Sequence, residues 1–148
     1  MINNKFVQFD GDDKQILYTK CKPVEDILSA HIQDVIKIMY SAMKGVGLGL
    51  AANQLRYPYQ MFMIEFDKEK SARYSLDFDS VPYQVFINPR VISHSKTRVS
   101  FWHGCLSALD YKRAKLATFK TIEYTAYNQY GKKIIDKLDG LAAVIFQH

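Results

Sequence analysis

The sequence predicts an α+β domain, and three observations carry that prediction. A long helical stripe stands near the N-terminus, short β-rich segments fill the middle, and a short apolar helix closes the chain. Helices and strands come in blocks rather than as alternating βαβ units, which separates this class from α/β.

The first element follows Pro23. In "VEDILSAHIQDVIKIMYSAMKG" the apolar residues Leu28, Ile32, Val35, Ile36, Met39 and Met43 fall at the spacing of one core-facing helical side. Gly45 is the expected C-terminal stop. The glycine- and alanine-rich "GVGLGLAANQ" comes next. "QMFMIEF" reads as a buried strand, "DKEKSARYSLDFDS" as a polar surface loop, and "YQVFINP" as a strand stopped by Pro89. "VISHSKTRVSFW" supplies one or two further extended pieces leading into "HGCLS". "KTIEYTAY" is β-rich, and "NQYG" is expected to turn it into "KKIID" as a hairpin. Asp139 is placed to N-cap a terminal helix, "GLAAVIFQH". No repeat, low-complexity tract or linker interrupts the pattern, so residues 1–148 are expected to form one domain.

Composition narrows the class. With 48% hydrophobic and 24% charged residues in 148, disorder and fibrous architectures are excluded. The net charge of +5 comes from scattered basic residues, among them Lys112, Arg113, Lys115, Lys120, Lys132 and Lys133. A mild positive field favours RNA or a ribosome surface without identifying a nucleic-acid binder, and no base-stacking motif accompanies it. Cys21 and Cys105 make no disulfide framework. The polar start "MINNKFVQFDGDD" is not a secretory signal, no apolar run is long enough to span a membrane, and the cytoplasm is the expected compartment. Richness in Lys, Asn, Tyr and Phe suits an AT-rich bacterial, phage or organellar genome.

Three segments bear chemistry. In "GLGLAANQ", Gly47 and Gly49 permit close backbone approach, and Gln54 ends the segment with an amide able to donate to a developing oxyanion. Alone, this is also how a tight turn against a sheet reads. In "HGCLS", Cys105 offers a thiolate as metal ligand or nucleophile, although a lone intracellular cysteine is more often a small buried hydrophobe. Gln147-His148 ends the chain, where a histidine is ordinarily solvated.

Together and in this order, the three resemble the motifs of the peptide deformylase family. Gly47, Gly49, Ala51, Ala52 and Gln54 match the first. Gly104, Cys105, Leu106 and Ser107 match the family's Glu-Gly-Cys-Leu-Ser. Gly140, Ala143, Gln147 and His148 match the start of its helical Gln-His-Glu-x-Asp-His segment. "CKPV", "FINP" and "AYNQYG" add supporting likenesses, so the resemblance runs from about residue 15 to the end.

The resemblance implies a deformylase-like fold, with antiparallel or mixed sheets around the C-terminal motif helix and a long N-terminal helix. It implies hydrolytic removal of the formyl group from N-formylmethionyl nascent peptides. The cofactor would be one divalent metal, Fe2+ in the first place with Zn2+ or Ni2+ able to substitute, bound by Cys105 and His148. The same likeness assigns oxyanion stabilisation to Gln54 and the Leu106 N–H, and peptide binding to Gly47, Leu48 and Gly49. Docking on ribosomes fits the basic surface, and neither DNA nor a membrane is an expected partner.

Two departures qualify these expectations. The motif runs out after its first histidine, so the general-base glutamate and a third protein ligand are missing, and slow turnover is expected of the 148-residue chain. A protein that binds formylmethionyl peptides or ribosomes without turning them over is the competing expectation. The family's Glu before Gly-Cys is His103 here, and an arginine expected in the following strand aligns with Thr118. His103 is therefore read as a surface residue or one behind the ligands, while His31 and His94 read as exposed side chains.

Overall fold

The computed structural model describes residues 5–69 and 78–148. Its helices are α1 (Gln15–Tyr18), α2 (Ala30–Met43) and α3 (Gly140–Gln147). Its strands are β1 (Gly49–Ala51), β2 (Met61–Phe66), β3 (Val81–His94), β4 (Arg98–His103), β5 (Ala114–Phe119), β6 (Thr121–Tyr127) and β7 (Lys133–Asp139), with a 3-10 turn at Ala52–Leu55. Five strands form one sheet in the order β1-β2-β3-β6-β7, and β4 pairs β5 as a separate ribbon. Every paired strand is antiparallel. The predicted α+β class is the observed one.

Alternation along β2 gives the sheet two buried faces. Met61 and Met63 face the α2 side, where Ile32, Val35, Ile36, Met39 and Met43 pack with Val85 and Ile87. Phe62 and Ile64 face the other side, where Phe86 and Tyr124 receive Ile145 and Phe146 of α3. Phe146 lies edge-on to Phe62 and Phe86 at centroid distances of 5.0 and 5.2 Å. A helix as short as α3 is marginal alone, and this aromatic floor supplies the burial it needs.

Several sequence expectations need correction. Helix α2 starts at Ala30, because Ser29 Oγ accepts from Ile32 N at 3.4 Å and caps it there. Leu28 consequently lies outside the stripe and is exposed. Gly45, at φ +77°, follows the helix end as expected. Strand β3 does not stop at Pro89. It passes through a register shift between Ile87 and Arg90, with Asn88 left-handed at φ +51°. A bulge is one of the few interior places where a missing N–H is tolerated. The Asn88 side chain steadies it by accepting from Val24 N at 2.8 Å and donating to Val24 O at 2.9 Å. Asp139 occupies the N-cap position of α3, but its side chain makes no capping bond.

The hairpin reading of "NQYG" agrees with the structure. Gly131 has φ +78°, and Asn128 N donates to Lys132 O at 2.9 Å. Most of the predicted polar loop, residues 70–77, lies outside the described residues; Lys68 N donates to Ser80 Oγ across its flanks at 3.0 Å. Strands β1 and β5 have no counterpart in the sequence reading, nor does the burial of Phe6 and Val7.

Candidate active site

A cavity of about 770 Å3 opens between β1, the loop after β4 and α3, and residues from all three chemistry-bearing segments line it. Among them are Gly47, Leu48, Gly49, Gln54, Cys105, Leu106 and His148.

The glycines are explained by what lies against them. A Cβ on Gly47 would sit 2.8 Å from Leu106 Cδ1, and one on Gly49 would sit 2.7 Å from Ile145 Cγ2. Both are closer than side-chain carbons approach, so the first segment is thin in order to admit the second and third. Strand β1 is an edge strand with one hydrogen-bonded neighbour, β2, and its register continues upstream as Glu65 N donates to Leu48 O at 3.0 Å. That bond engages the Leu48 carbonyl within the sheet.

Gln54 is oriented by its own turn. Ala51 N is only a donor, and it lies 2.9 Å from the atom that must therefore be Gln54 Oε1. The amide nitrogen is thereby turned toward the cysteine loop. It donates to Ser107 Oγ at 3.0 Å and lies 3.8 Å from Cys105 Sγ.

An N-terminal strap ties these segments together. Val7 N donates to Gln54 O at 2.8 Å, and Phe9 N donates to Ser107 O at 2.9 Å. Gln8 Nε2 donates to Leu106 O at 2.9 Å while its Oε1 accepts from Leu109 N at 3.3 Å. The Leu106 N–H has no acceptor among the described residues. Sequence reasoning missed this strap; the only local signal was an apolar pair, Phe6-Val7, in a polar stretch.

Helix α3 brings His148 to the end of β4. His148 Nδ1 and His103 Nδ1 are 2.9 Å apart, with ring planes 22° from parallel. His103 is buried, so the expectation of a surface residue gives way to a direct contact with His148. Its Nε2 is also buried and has no partner among the described residues. Burial holds both imidazoles below the usual histidine pKa, and for His148 the neighbouring His103 adds to the effect. The motif glutamine beside it, Gln147, has a role the sequence did not reveal. Its amide donates to Phe119 O and accepts from Phe119 N, both at 2.8 Å, and so pins α3 to β5. Thr118 lies on β5 opposite Val99, and its buried Oγ1 has no partner among the described residues. His31 and His94 are exposed, as read; His94 stacks on Phe119.

The model of the polypeptide deformylase family matches residues 6–148. The chain belongs to the peptide deformylase family.

Peptide deformylase 2 of Pseudomonas putida is 32% identical over 139 residues, covering 93% of this chain and 76% of that protein. The Brucella suis peptide deformylase is 32% identical over 136 residues, covering 90% and 71%. Among solved structures, a probable peptide deformylase from a Synechococcus phage superposes with TM-score 0.79 at 28% identity, covering 97% of this chain and 89% of that one. A class I type b peptide deformylase from Acinetobacter baumannii reaches 0.86 at 21% identity over 97% and 88%, a likeness of fold.

Deformylases are metal-dependent hydrolases, and the donors in this cavity can be weighed against that need. A thiol and an imidazole, Cys105 and His148, are suitable in kind for a divalent transition metal. Among the described residues no three His, Cys, Asp or Glu side chains are grouped to hold a metal, and no Asp or Glu side chain lines the cavity.

Proposed function

We propose that this chain acts on N-formylmethionyl peptides as a deformylase, with slow turnover because no Asp or Glu side chain lines its cavity among the described residues. The observation that supports the reading is the convergence of Gln54, Cys105, the Leu106 N–H and His148 on one cavity edged by the free side of β1. An extended peptide adds to an exposed strand edge through its backbone, and on this reading the peptide runs along Gly47, Leu48 and Gly49 where they lead into β1. Apolar residues including Val46, Phe62, Leu141 and Val144 line the cavity and suit a methionine side chain. The Gln54 amide nitrogen and the Leu106 N–H are the donors assigned to the formyl oxygen, where negative charge develops during attack. Cys105 and His148 would hold the metal, Fe2+ first and Zn2+ or Ni2+ as substitutes, and the chemistry gained on binding it would be a hydroxide available near neutral pH.

Proton transfer is where this chain is weakest. Departure of the amine needs a group that takes a proton and returns it, and the cavity has no Asp or Glu among the described residues to do so. The shortage of donors and base favours a second reading, in which formylmethionyl peptides are bound and released unchanged. One experiment separates the two. The 148-residue chain is loaded anaerobically with Fe2+, its metal content is measured, and turnover of formyl-Met-Ala-Ser is compared with that of the Pseudomonas putida relative. Slow but metal-dependent release of formate is expected. Rates near those of that relative would overturn the slow-turnover reading, and binding with no release above background would leave the binding module standing.

A further inference from the structure

His103 is the one residue of the pentapeptide that departs from the family's Glu-Gly-Cys-Leu-Ser, and the structure gives the replacement something to do. We propose that His103 is a positioning residue for His148: its Nδ1 accepts the Nδ1–H of His148, holding that ring in one tautomer with Nε2 left as its only lone pair. The inference rests on the placement of His148 in the site proposed above.

The geometry leaves few alternatives. Two imidazole nitrogens 2.9 Å apart in nearly parallel planes share one proton, since two bare lone pairs or two N–H groups at that distance repel. The direction of the bond follows from what position 103 retains. Glutamate as a carboxylate only accepts, and histidine accepts through a bare Nδ1, so acceptance is the property common to both. A ligating histidine is oriented in the same way, through the hydrogen bond its other ring nitrogen makes. The arrangement has a cost that is visible in the structure. With Nδ1 accepting, the His103 proton resides on Nε2, and that atom is buried without a partner among the described residues. An apolar residue at 103 would avoid this cost and would leave His148 without an acceptor.

Ring tautomers are directly observable. In 15N-labelled, metal-free protein at about pH 8, above the usual histidine range, two-bond 1H–15N correlations should show His148 with a protonated Nδ1 and a bare Nε2. His103→Glu should keep that pattern, whereas His103→Leu should lose it and give averaged tautomers or the Nε2–H form. A His148 that carries its proton on Nε2 in the unmodified protein would overturn the proposal, as would a pattern unchanged in His103→Leu. Neither metal nor substrate enters the measurement. Absent turnover alongside the expected tautomer would therefore count against the deformylase reading alone, and turnover alongside the wrong tautomer against this inference alone.

Discussion

At the scale of single residues, the site is set by close approach and by a few side-chain hydrogen bonds. Gln54 bridges Ala51 N, Ser107 Oγ and the Cys105 sulfur, so replacing it affects both the fold and the chemistry. Gln54→Leu should cost about 1–3 kcal/mol, because it leaves a backbone donor and a buried hydroxyl without partners. On the proposed reading it should also lower residual turnover by roughly a further 10²-fold, the effect of losing one oxyanion donor. Urea titration and a formate-release assay measure the two effects separately. Gly49 makes a purely steric prediction. Gly49→Ala should destabilise by about 1–3 kcal/mol, as other overpacked sites do, since its Cβ would fall 2.7 Å from Ile145 Cγ2. In an Ile145→Ala background the same change should cost less. Equal costs in both backgrounds would show that this contact is not what makes residue 49 a glycine.

At the scale of elements, α3 is held to the rest of the fold by Gln147 as well as by its apolar face. Gln147→Leu should keep the packing of Ile145 and Phe146 but release both backbone groups of Phe119. A loss of about 1–3 kcal/mol is expected, with faster amide exchange at Phe119; an unchanged exchange rate would count against the pin. Elements are also where the sequence was most and least legible. The α2 stripe, the turn at Gly131 and the closing helix were readable because periodicity and turn chemistry are local. Pro89 misled because a bulge that tolerates proline depends on Asn88 reaching back to Val24, 64 residues away. Strand β5, "AKLATF", is exposed over most of its length and so shows no clear alternation. At the site, the convergence of Gln54, Cys105 and His148 on one cavity was legible from the motif likeness. The His103 to His148 contact was not, because it joins a strand end to a helix end 45 residues later.

At the scale of the whole molecule, the displaced titrations set a pH window for stability, and each sign can be worked out. His103 and His148 have folded-state pKa values below the ordinary 6.5, chiefly through burial. As pH falls through that value the unfolded chain takes up protons first, so their contribution is present above it and is lost on acidification. Tyr83 acts on the other side. Burial, with smaller contributions from Tyr40, Glu65 and Tyr130, pushes its phenol from 10.0 up to about 12. Between those values the unfolded chain gives up the proton while the folded protein keeps it, so stability falls as pH rises through that range. Metal-free protein should therefore show a plateau in urea midpoint between the histidine and tyrosine ranges, with a decline on each side. Tyr83→Phe should leave the acid limb untouched and make the alkaline limb shallower without abolishing it, because Tyr124 is also pushed up by burial. His103→Leu should do the converse, reducing the acid limb alone. An alkaline limb of the same slope in Tyr83→Phe would place the responsible group elsewhere, and the 295 nm absorbance titration of the two proteins would show whether Tyr83 is the late-ionising phenol.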